Sequence, residues 1–133
     1  MRFIGERERF AQDIQDLMNK TERETADFSG PTLVMALSYG GRTEILHTVN
    51  TLLAEGKKKV NEEDFSNELS THGIPDPDLI IRTSGEHRLS GFLPWQGVYS
   101  ELFFLKTYWP AFTKDDFLSV LSEFAGRQRR MGK

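Results

Sequence analysis

The chain contains no cysteine, so neither a disulfide nor a cysteine-ligated metal site can form within it. Long apolar runs are also absent. The stretch at residues 33–37 is one of the longest, and it is far shorter than the roughly 20 residues that span a bilayer. Residues 1–5 lack the apolar core of a signal peptide. We therefore expect a cytoplasmic protein.

The chain has no excess of positive charge. Its 17 Lys and Arg against 20 Asp and Glu give a net charge of -3, which argues against a general nucleic-acid or membrane-surface binder. A local basic patch is still compatible with this balance. The length of 133 residues suits one domain, and we expect residues 1–133 to form it.

Short apolar segments alternate with amphipathic ones along the chain. The strand-like segments are residues 2–4, 32–39, 78–82 and 101–105, and the second is typical of a strand buried on both faces. Helical patterns with an apolar stripe cover residues 6–27, 41–56 and 61–73 and begin again at 113, where Thr113 and Asp116 suggest a capping box. This order predicts an α/β fold with a mainly parallel sheet flanked by helices.

A polar loop follows the third predicted strand. Residues 82–91 contain two arginines (Arg82 and Arg88), hydroxyl side chains that include Ser90, and two glycines. Guanidinium groups bind phosphate through paired hydrogen bonds, hydroxyls add further donors, and glycine lets backbone amides approach an anion. Because ligands of open α/β sheets bind at the carboxyl ends of the strands, this loop is a candidate site for a multivalent phosphate.

Each candidate residue also has a purely structural interpretation. The two arginines could instead form an ordinary ion network with Glu86 and Asp78. Glu101, at the start of the fourth strand, is either an exposed carboxylate or a ligand of Mg²⁺, which takes one or two carboxylates when it binds a diphosphate. His87 is a weak candidate for a catalytic base because histidine is the side chain type suited to proton transfer near neutral pH, although a histidine in a polar loop more often has no such role.

The loop and its surroundings resemble the signature of the cis-prenyltransferases, the family that includes undecaprenyl diphosphate synthases. The likeness is carried by residues 77–96, 99–104 and 109–110, with similar strand ends at 2–5 and 39–42. Residues 127–132 are similar to the C-terminal Arg-x-Gly motif of the family. The resemblance therefore extends from one end of the chain to the other.

This resemblance implies a reaction and a binding site. The family condenses isopentenyl diphosphate with an allylic prenyl diphosphate, with Mg²⁺, to form a cis-polyprenyl diphosphate. Arg82, Arg88 and Ser90 match the positions that hold the diphosphate of isopentenyl diphosphate. Glu101 matches a carboxylate associated with Mg²⁺. The lipid product implies that the protein could also associate peripherally with a membrane.

The resemblance also concerns the tail and an absent loop. Arg130 and Gly132 match the motif that reaches into the partner's active site in the family's dimers. The family's Asp-Gly-Asn-Gly-Arg-Trp-like loop, which holds the allylic diphosphate, has no counterpart here. We therefore expect this chain to be the C-terminal part of a cis-prenyltransferase domain. We expect it to be inactive by itself and to associate with a second copy or with a partner chain that carries the amino-terminal half.

Two alternatives remain open on the sequence. The first is a non-catalytic accessory subunit of a heteromeric cis-prenyltransferase, which the retained set of anion-binding residues disfavours. The second is a generic phosphate-binding module without prenyl chemistry, which only the ordinary composition supports.

Overall fold

The structure is a computed structural model that describes residues 1–128 of the 133. The chain divides into an amino-terminal unit, Met1–Ile74, and a carboxy-terminal unit, Pro75–Lys133. The elements are β1 (Arg2–Ile4), α1 (Gln12–Glu24), β2 (Val34–Ala36), α2 (Gly41–Ala54), α3 (Glu62–Glu68), β3 (Leu79–Arg82), β4 (Glu101–Phe104) and α4 (Lys114–Gly126). The predicted α/β class with parallel strands is confirmed, and the single domain over residues 1–133 stays a prediction.

The amino-terminal unit is built around the parallel pair β1–β2, in which Phe3 lies opposite Met35. The predicted helix start near residue 6 is wrong: Arg7–Arg9 form a separate 3₁₀ turn, and α1 starts only at Gln12. The backbone at Phe10 and Ala11 is extended, with ψ of 153° and 152°, which separates the two helical segments.

Gly5 ends β1 in a conformation that only glycine can adopt there. Its φ is +107°, and a Cβ atom at this position would lie 2.1 Å from the carbonyl oxygen of Leu37. The close approach lets the backbone N–H of Leu37 donate to the carbonyl of Ile4 at 2.9 Å. The glycine therefore keeps the carboxyl ends of β1 and β2 together.

Two helix ends of this unit have recognisable capping features. Asn61 and Asp64 form a capping box at the start of α3, and Gly56 has a φ of +82° after the end of α2. However, α3 ends at Glu68 and not near Gly73, because Leu69 already has an extended backbone with ψ of 151°.

The apolar stripes of the amino-terminal unit are only partly covered. Met18 and Leu52 are buried, but Leu17 and Leu53 are 58% and 62% exposed. The expectation that β2 is buried on both faces is wrong, since Met35 is 37% exposed. The amphipathic pattern thus predicts more burial than the described residues provide.

The carboxy-terminal unit is built around the parallel pair β3–β4. Leu79 lies opposite Glu101 and Arg82 lies opposite Phe104. Ile80 on β3 and Phe103 on β4 are buried, as is Val120 on α4. Along residues 1–128, no helix is both long enough and apolar enough to cross a membrane.

The predicted capping box at the start of α4 is confirmed. The hydroxyl of Thr113 accepts a hydrogen bond from the backbone N–H of Asp116 at 3.1 Å, and the Asp116 carboxylate accepts one from the backbone N–H of Thr113 at 2.8 Å. Two backbone donors that the helix cannot satisfy are thereby bonded.

Replacing Thr113 with alanine removes the hydroxyl of this cap. We expect the free energy of unfolding of the carboxy-terminal unit to fall by about 1 kcal/mol, the usual loss for an N-cap. Urea unfolding followed by circular dichroism measures the change. Thr113→Ser keeps the hydroxyl and serves as the matched control, and equal stability of the two variants would contradict the prediction.

The same cap should depend on pH. Hydrogen bonds from the backbone N–H and the hydroxyl of Thr113 hold the pKa of Asp116 below its usual value. A carboxyl whose folded-state pKa is lowered stabilises the fold above its unfolded-state pKa, and this contribution is lost as the pH falls through the folded-state pKa. The stability difference between wild type and Asp116→Asn should therefore shrink on acidification, in the same urea measurement.

Candidate functional site

The polar loop after β3 folds back onto the last residue of that strand. Nη1 of Arg82 donates to the hydroxyl of Ser90 at 3.0 Å and to the backbone carbonyl of Arg88 at 2.5 Å. Among the described residues, the remaining nitrogens of this guanidinium donate to no protein acceptor. The structure thus brings Arg82 and Ser90 together, with donors left over for an anion.

Arg88 is held differently. Its guanidinium forms an ion pair with Glu86, and the side chains are 63% and 43% exposed. The pairing with Glu86 that the sequence suggests is therefore present for this arginine, whereas Arg82 binds a hydroxyl and a backbone carbonyl. An anion that recruits Arg88 has to compete with the carboxylate of Glu86.

Two backbone amides of the loop are already in use. Both residues have a positive φ, +79° for Ser84 and +74° for Gly85, and of the two only glycine adopts such a backbone without strain. Their N–H groups donate to the carbonyls of Thr107 at 2.9 Å and Leu105 at 2.8 Å. The amide of Gly85 is therefore not available to an anion, because it ties the loop to the chain after β4.

His87 packs against the strand pair. Its ring stacks on Phe104, with centroids 5.0 Å apart and an interplanar angle of 27°. Phe104 lies opposite Arg82 in the sheet, so the stacking holds His87 at the same end of the pair. This stacking explains where the His87 ring lies, and it gives no support to a role in proton transfer.

A shallow cavity of about 300 Å³ adjoins this loop. It is lined by polar and apolar side chains, which include Arg82, Thr83, Ser84, Ile80, Leu89 and Phe92. A ligand that carries a phosphate beside a small apolar group matches such a lining.

The loop after β2 is unsuited to phosphate. A cavity of about 190 Å³ there is lined by three carboxylates, those of Glu6, Glu8 and Glu44. Glu44 accepts hydrogen bonds from the hydroxyl of Tyr39 at 2.6 Å and from the backbone N–H of Ser70 at 3.1 Å. These carboxylates disfavour an anion at this strand end, so the loop after β3 is the better candidate of the two.

Glu101 lies in an ion network that the sequence did not predict. Its carboxylate pairs with Arg127 at 2.8 Å, and the same guanidinium binds Glu123 at 2.7 Å. The guanidinium carbon of Arg127 also lies 3.9 Å from the centre of the Phe103 ring. These contacts join the end of α4 to the beginning of β4.

Glu101 and Arg82 lie at opposite ends and on opposite faces of the β3–β4 pair. Their partners across the sheet are Leu79 and Phe104, which places them about 10 Å apart along the strands. Side chains alternate between faces, so Glu101 shares its face with Phe103, and Arg82 shares the other with Phe104. The sequence already placed Glu101 at the amino end of its strand. That position indicates that Glu101 lies at the opposite end of the strand pair from Arg82.

Within residues 1–128, no three side chains of the His, Cys, Asp or Glu type converge. Mg²⁺ that is bound to a diphosphate takes only one or two protein carboxylates, so a single residue such as Glu101 suffices as its ligand. The assignment of Glu101 as a metal ligand stays a prediction. Arg130 and Gly132, the predicted tail residues, lie outside the described part of the chain.

Comparison with known proteins shows that the chain is similar to isoprenyl transferases. The chain is 47% identical to an isoprenyl transferase of Thermus thermophilus, over all of this chain and 54% of the relative. It is 46% identical to an isoprenyl transferase of Thermotoga maritima, over 99% of this chain and 58% of the relative. The chain thus spans little more than half the length of these curated relatives.

Solved structures show the same likeness. A probable undecaprenyl diphosphate synthase from Campylobacter jejuni matches with a TM-score of 0.89 and 32% identity, over 99% of this chain and 62% of that one. The lavandulyl diphosphate synthase of Lavandula x intermedia, solved with dimethylallyl diphosphate, matches with a TM-score of 0.94 and 31% identity, over 99% and 59%. The family model for undecaprenyl diphosphate synthases matches residues 1–132, and the chain belongs to this prenyltransferase family.

Proposed function

We propose that this chain supplies the isopentenyl diphosphate-binding part of a cis-prenyltransferase. The Arg82–Ser90 contact at the carboxyl end of β3 is the observation that carries the proposal. The free donors of Arg82, the hydroxyl of Ser90 and the guanidinium of Arg88 suit the several oxygens of a diphosphate. The apolar side chains Ile80 and Phe92, which line the adjacent cavity, suit a short isoprenyl group.

The reaction proposed is a condensation of two diphosphates. The carbon–oxygen bond of the allylic diphosphate breaks, and its electron pair leaves with pyrophosphate. The double bond of isopentenyl diphosphate forms the new carbon–carbon bond, and loss of a proton restores a double bond in the cis configuration. Arg82, Arg88 and Ser90 would hold the isopentenyl diphosphate by its diphosphate, which fixes its double bond relative to the allylic carbon.

Mg²⁺ is proposed as the cofactor of the whole enzyme, where it would neutralise diphosphate charge. Glu101, the residue that would hold the ion, lies on the face of the β3–β4 pair opposite Arg82. Glu101 would be available to Mg²⁺ only through the carboxylate oxygen that Arg127 leaves unoccupied, or after Arg127 has moved away.

The proposed partners are a second copy or a chain with the rest of the family fold. A cytoplasmic location, with peripheral membrane contact through the lipid product, remains part of this proposal. The retained cluster of Arg82, Arg88 and Ser90 favours a substrate-binding role over an accessory subunit, because an accessory subunit has no need for these anion ligands.

This chain alone should not elongate a prenyl chain. We expect no incorporation of radiolabelled isopentenyl diphosphate when the purified chain is supplied with farnesyl diphosphate and Mg²⁺, because the family's loop that holds the allylic diphosphate has no counterpart in this chain. A full-length relative, such as the enzyme of Thermotoga maritima, is the positive control. Robust elongation by the isolated chain would overturn the fragment part of the proposal.

Binding of isopentenyl diphosphate should respond in opposite directions to two substitutions. Arg82→Lys replaces the planar fork with a single ammonium group, and we expect about a tenfold weaker Kd. Glu86→Gln removes the carboxylate that competes for Arg88, and we expect affinity to rise by up to about fivefold, as for an exposed ion pair of at most 1 kcal/mol.

Isothermal titration calorimetry measures both effects. Arg23→Lys, on the exposed side of α1 in the other unit, is the matched control and should leave the Kd unchanged. If Arg82→Lys binds isopentenyl diphosphate as tightly as the control does, Arg82 is not a ligand of the diphosphate.

A further inference from the structure

The chain after β4 is fixed against the polar loop that follows β3. The backbone N–H of Ser84 donates to the carbonyl of Thr107 at 2.9 Å. The backbone N–H of Gly85 donates to the carbonyl of Leu105 at 2.8 Å. Lys106 lies between these two acceptors in the sequence, so the position of its backbone beside the loop is held on both sides.

Lys106 approaches the loop at Gly85. The point that a Cβ atom would occupy at this glycine lies 3.9 Å from Cα of Lys106. Glu86 follows Gly85 directly, and consecutive Cα atoms lie about 3.8 Å apart. A lysine carries its ammonium group on a flexible four-carbon stem, which is long enough to cover such a separation. The carboxylate of Glu86 is therefore within reach of the Lys106 ammonium group.

The ammonium group of Lys106 has no carboxylate partner along residues 1–128. The residue is exposed, and the ion pairs of the described chain are all made by other cations. A positive charge without a partner thus lies next to the polar loop.

Glu86 is the one acidic residue in the sequence of this loop, residues 82–91, and its carboxylate pairs with Arg88. The two side chains are 43% and 63% exposed. Ion pairs between exposed side chains are weak, because both partners are also well solvated when they separate. The pair of Glu86 and Arg88 is therefore one that a competing ligand can open.

A diphosphate that opens this pair creates a new problem for the loop. It takes the guanidinium of Arg88 and leaves the carboxylate of Glu86 without a cation. The two negative groups then lie close together, and like charges at short range repel each other. A second cation that pairs with Glu86 would remove this repulsion.

The other basic side chains of the loop are already engaged. Nη1 of Arg82 donates to two acceptors within the loop, and its remaining donors are those proposed for the diphosphate. The ring of His87 is stacked on Phe104. Lys106 is the cation beside the loop that has neither kind of contact.

We infer that Lys106 pairs with Glu86 when a diphosphate takes Arg88. Lys106 is thus a positioning residue, which acts on the ligand through Glu86 and makes no contact with the diphosphate itself. This inference rests on the proposed binding of isopentenyl diphosphate by Arg82, Arg88 and Ser90.

A double-mutant cycle tests the exchange of partners. Isothermal titration calorimetry measures the Kd of isopentenyl diphosphate for wild type, Lys106→Gln, Glu86→Gln and the double variant. We expect Lys106→Gln to weaken binding by about three- to fivefold, as for the loss of one exposed ion pair. In the Glu86→Gln background the same substitution should change the Kd by less than about twofold, since the carboxylate that Lys106 neutralises is absent.

Two further variants serve as controls. Lys106→Arg keeps a cation at the same position and should bind isopentenyl diphosphate as wild type does. Lys114→Gln removes the same charge from another exposed position of the carboxy-terminal unit and should leave the Kd unchanged. Inorganic pyrophosphate, titrated in the same way, should reproduce the cycle, because it carries the anionic group without the isoprenyl chain.

The cycle separates the ways in which the inference would fail. An equal loss of affinity in both backgrounds would show that Lys106 acts on the bound anion directly, and it would reject the exchange. Unchanged affinity of Lys106→Gln would reject any role of this lysine. If wild type binds neither isopentenyl diphosphate nor pyrophosphate, the proposed function fails together with the inference. Binding by wild type with an additive cycle overturns the inference alone.

Discussion

The pairing of β3 with β4 determines which chemical groups of this chain can act together. Four residues on each strand are enough to separate Arg82 from Glu101 by both strand end and sheet face. Arg82 then meets the returning loop and Ser90, whereas Glu101 meets Arg127 from α4. A shift of this register by one residue would reverse the faces and remove both contacts, so the proposed anion-binding arrangement depends on the strand pair.

Incomplete burial is the second constraint, and it concerns the helices. In α2, Leu52 is buried while Val49 and Leu53 remain 38% and 62% exposed, and in α4 Val120 is buried while Leu118 is 49% exposed. Each helix therefore has an apolar stripe wider than the surface it covers within its own unit. Such stripes are normally covered in a complete α/β domain, which agrees with relatives nearly twice as long as this chain.

Local chemistry was predictable from the sequence, and long-range pairing was not. The capping box at Thr113 depends on residues three apart, and it is present as predicted. The contact of Arg82 with Ser90 could be predicted as a cluster because both residues lie in one loop. The ion pair between Arg127 and Glu101 spans 26 residues and needs the packing of α4 against β4, so no spacing in the sequence could indicate it.

An arginine paired with a carboxylate occurs at the outer edge of both strand pairs, and the two cases differ in strength. Arg7 and Glu22 together satisfy both outward backbone groups of Phe3 at 2.7 Å, so this edge is closed to another strand. Arg127 reaches the carbonyl of Leu102 only at 3.4 Å and divides its donors between two carboxylates. This second contact with the backbone is longer, so the outer edge of β4 is less firmly closed to another strand than that of β1. The same guanidinium is held at 2.8 Å by Glu101, so Arg127 acts mainly on a side chain, whereas Arg7 and Glu22 act on the backbone of the strand.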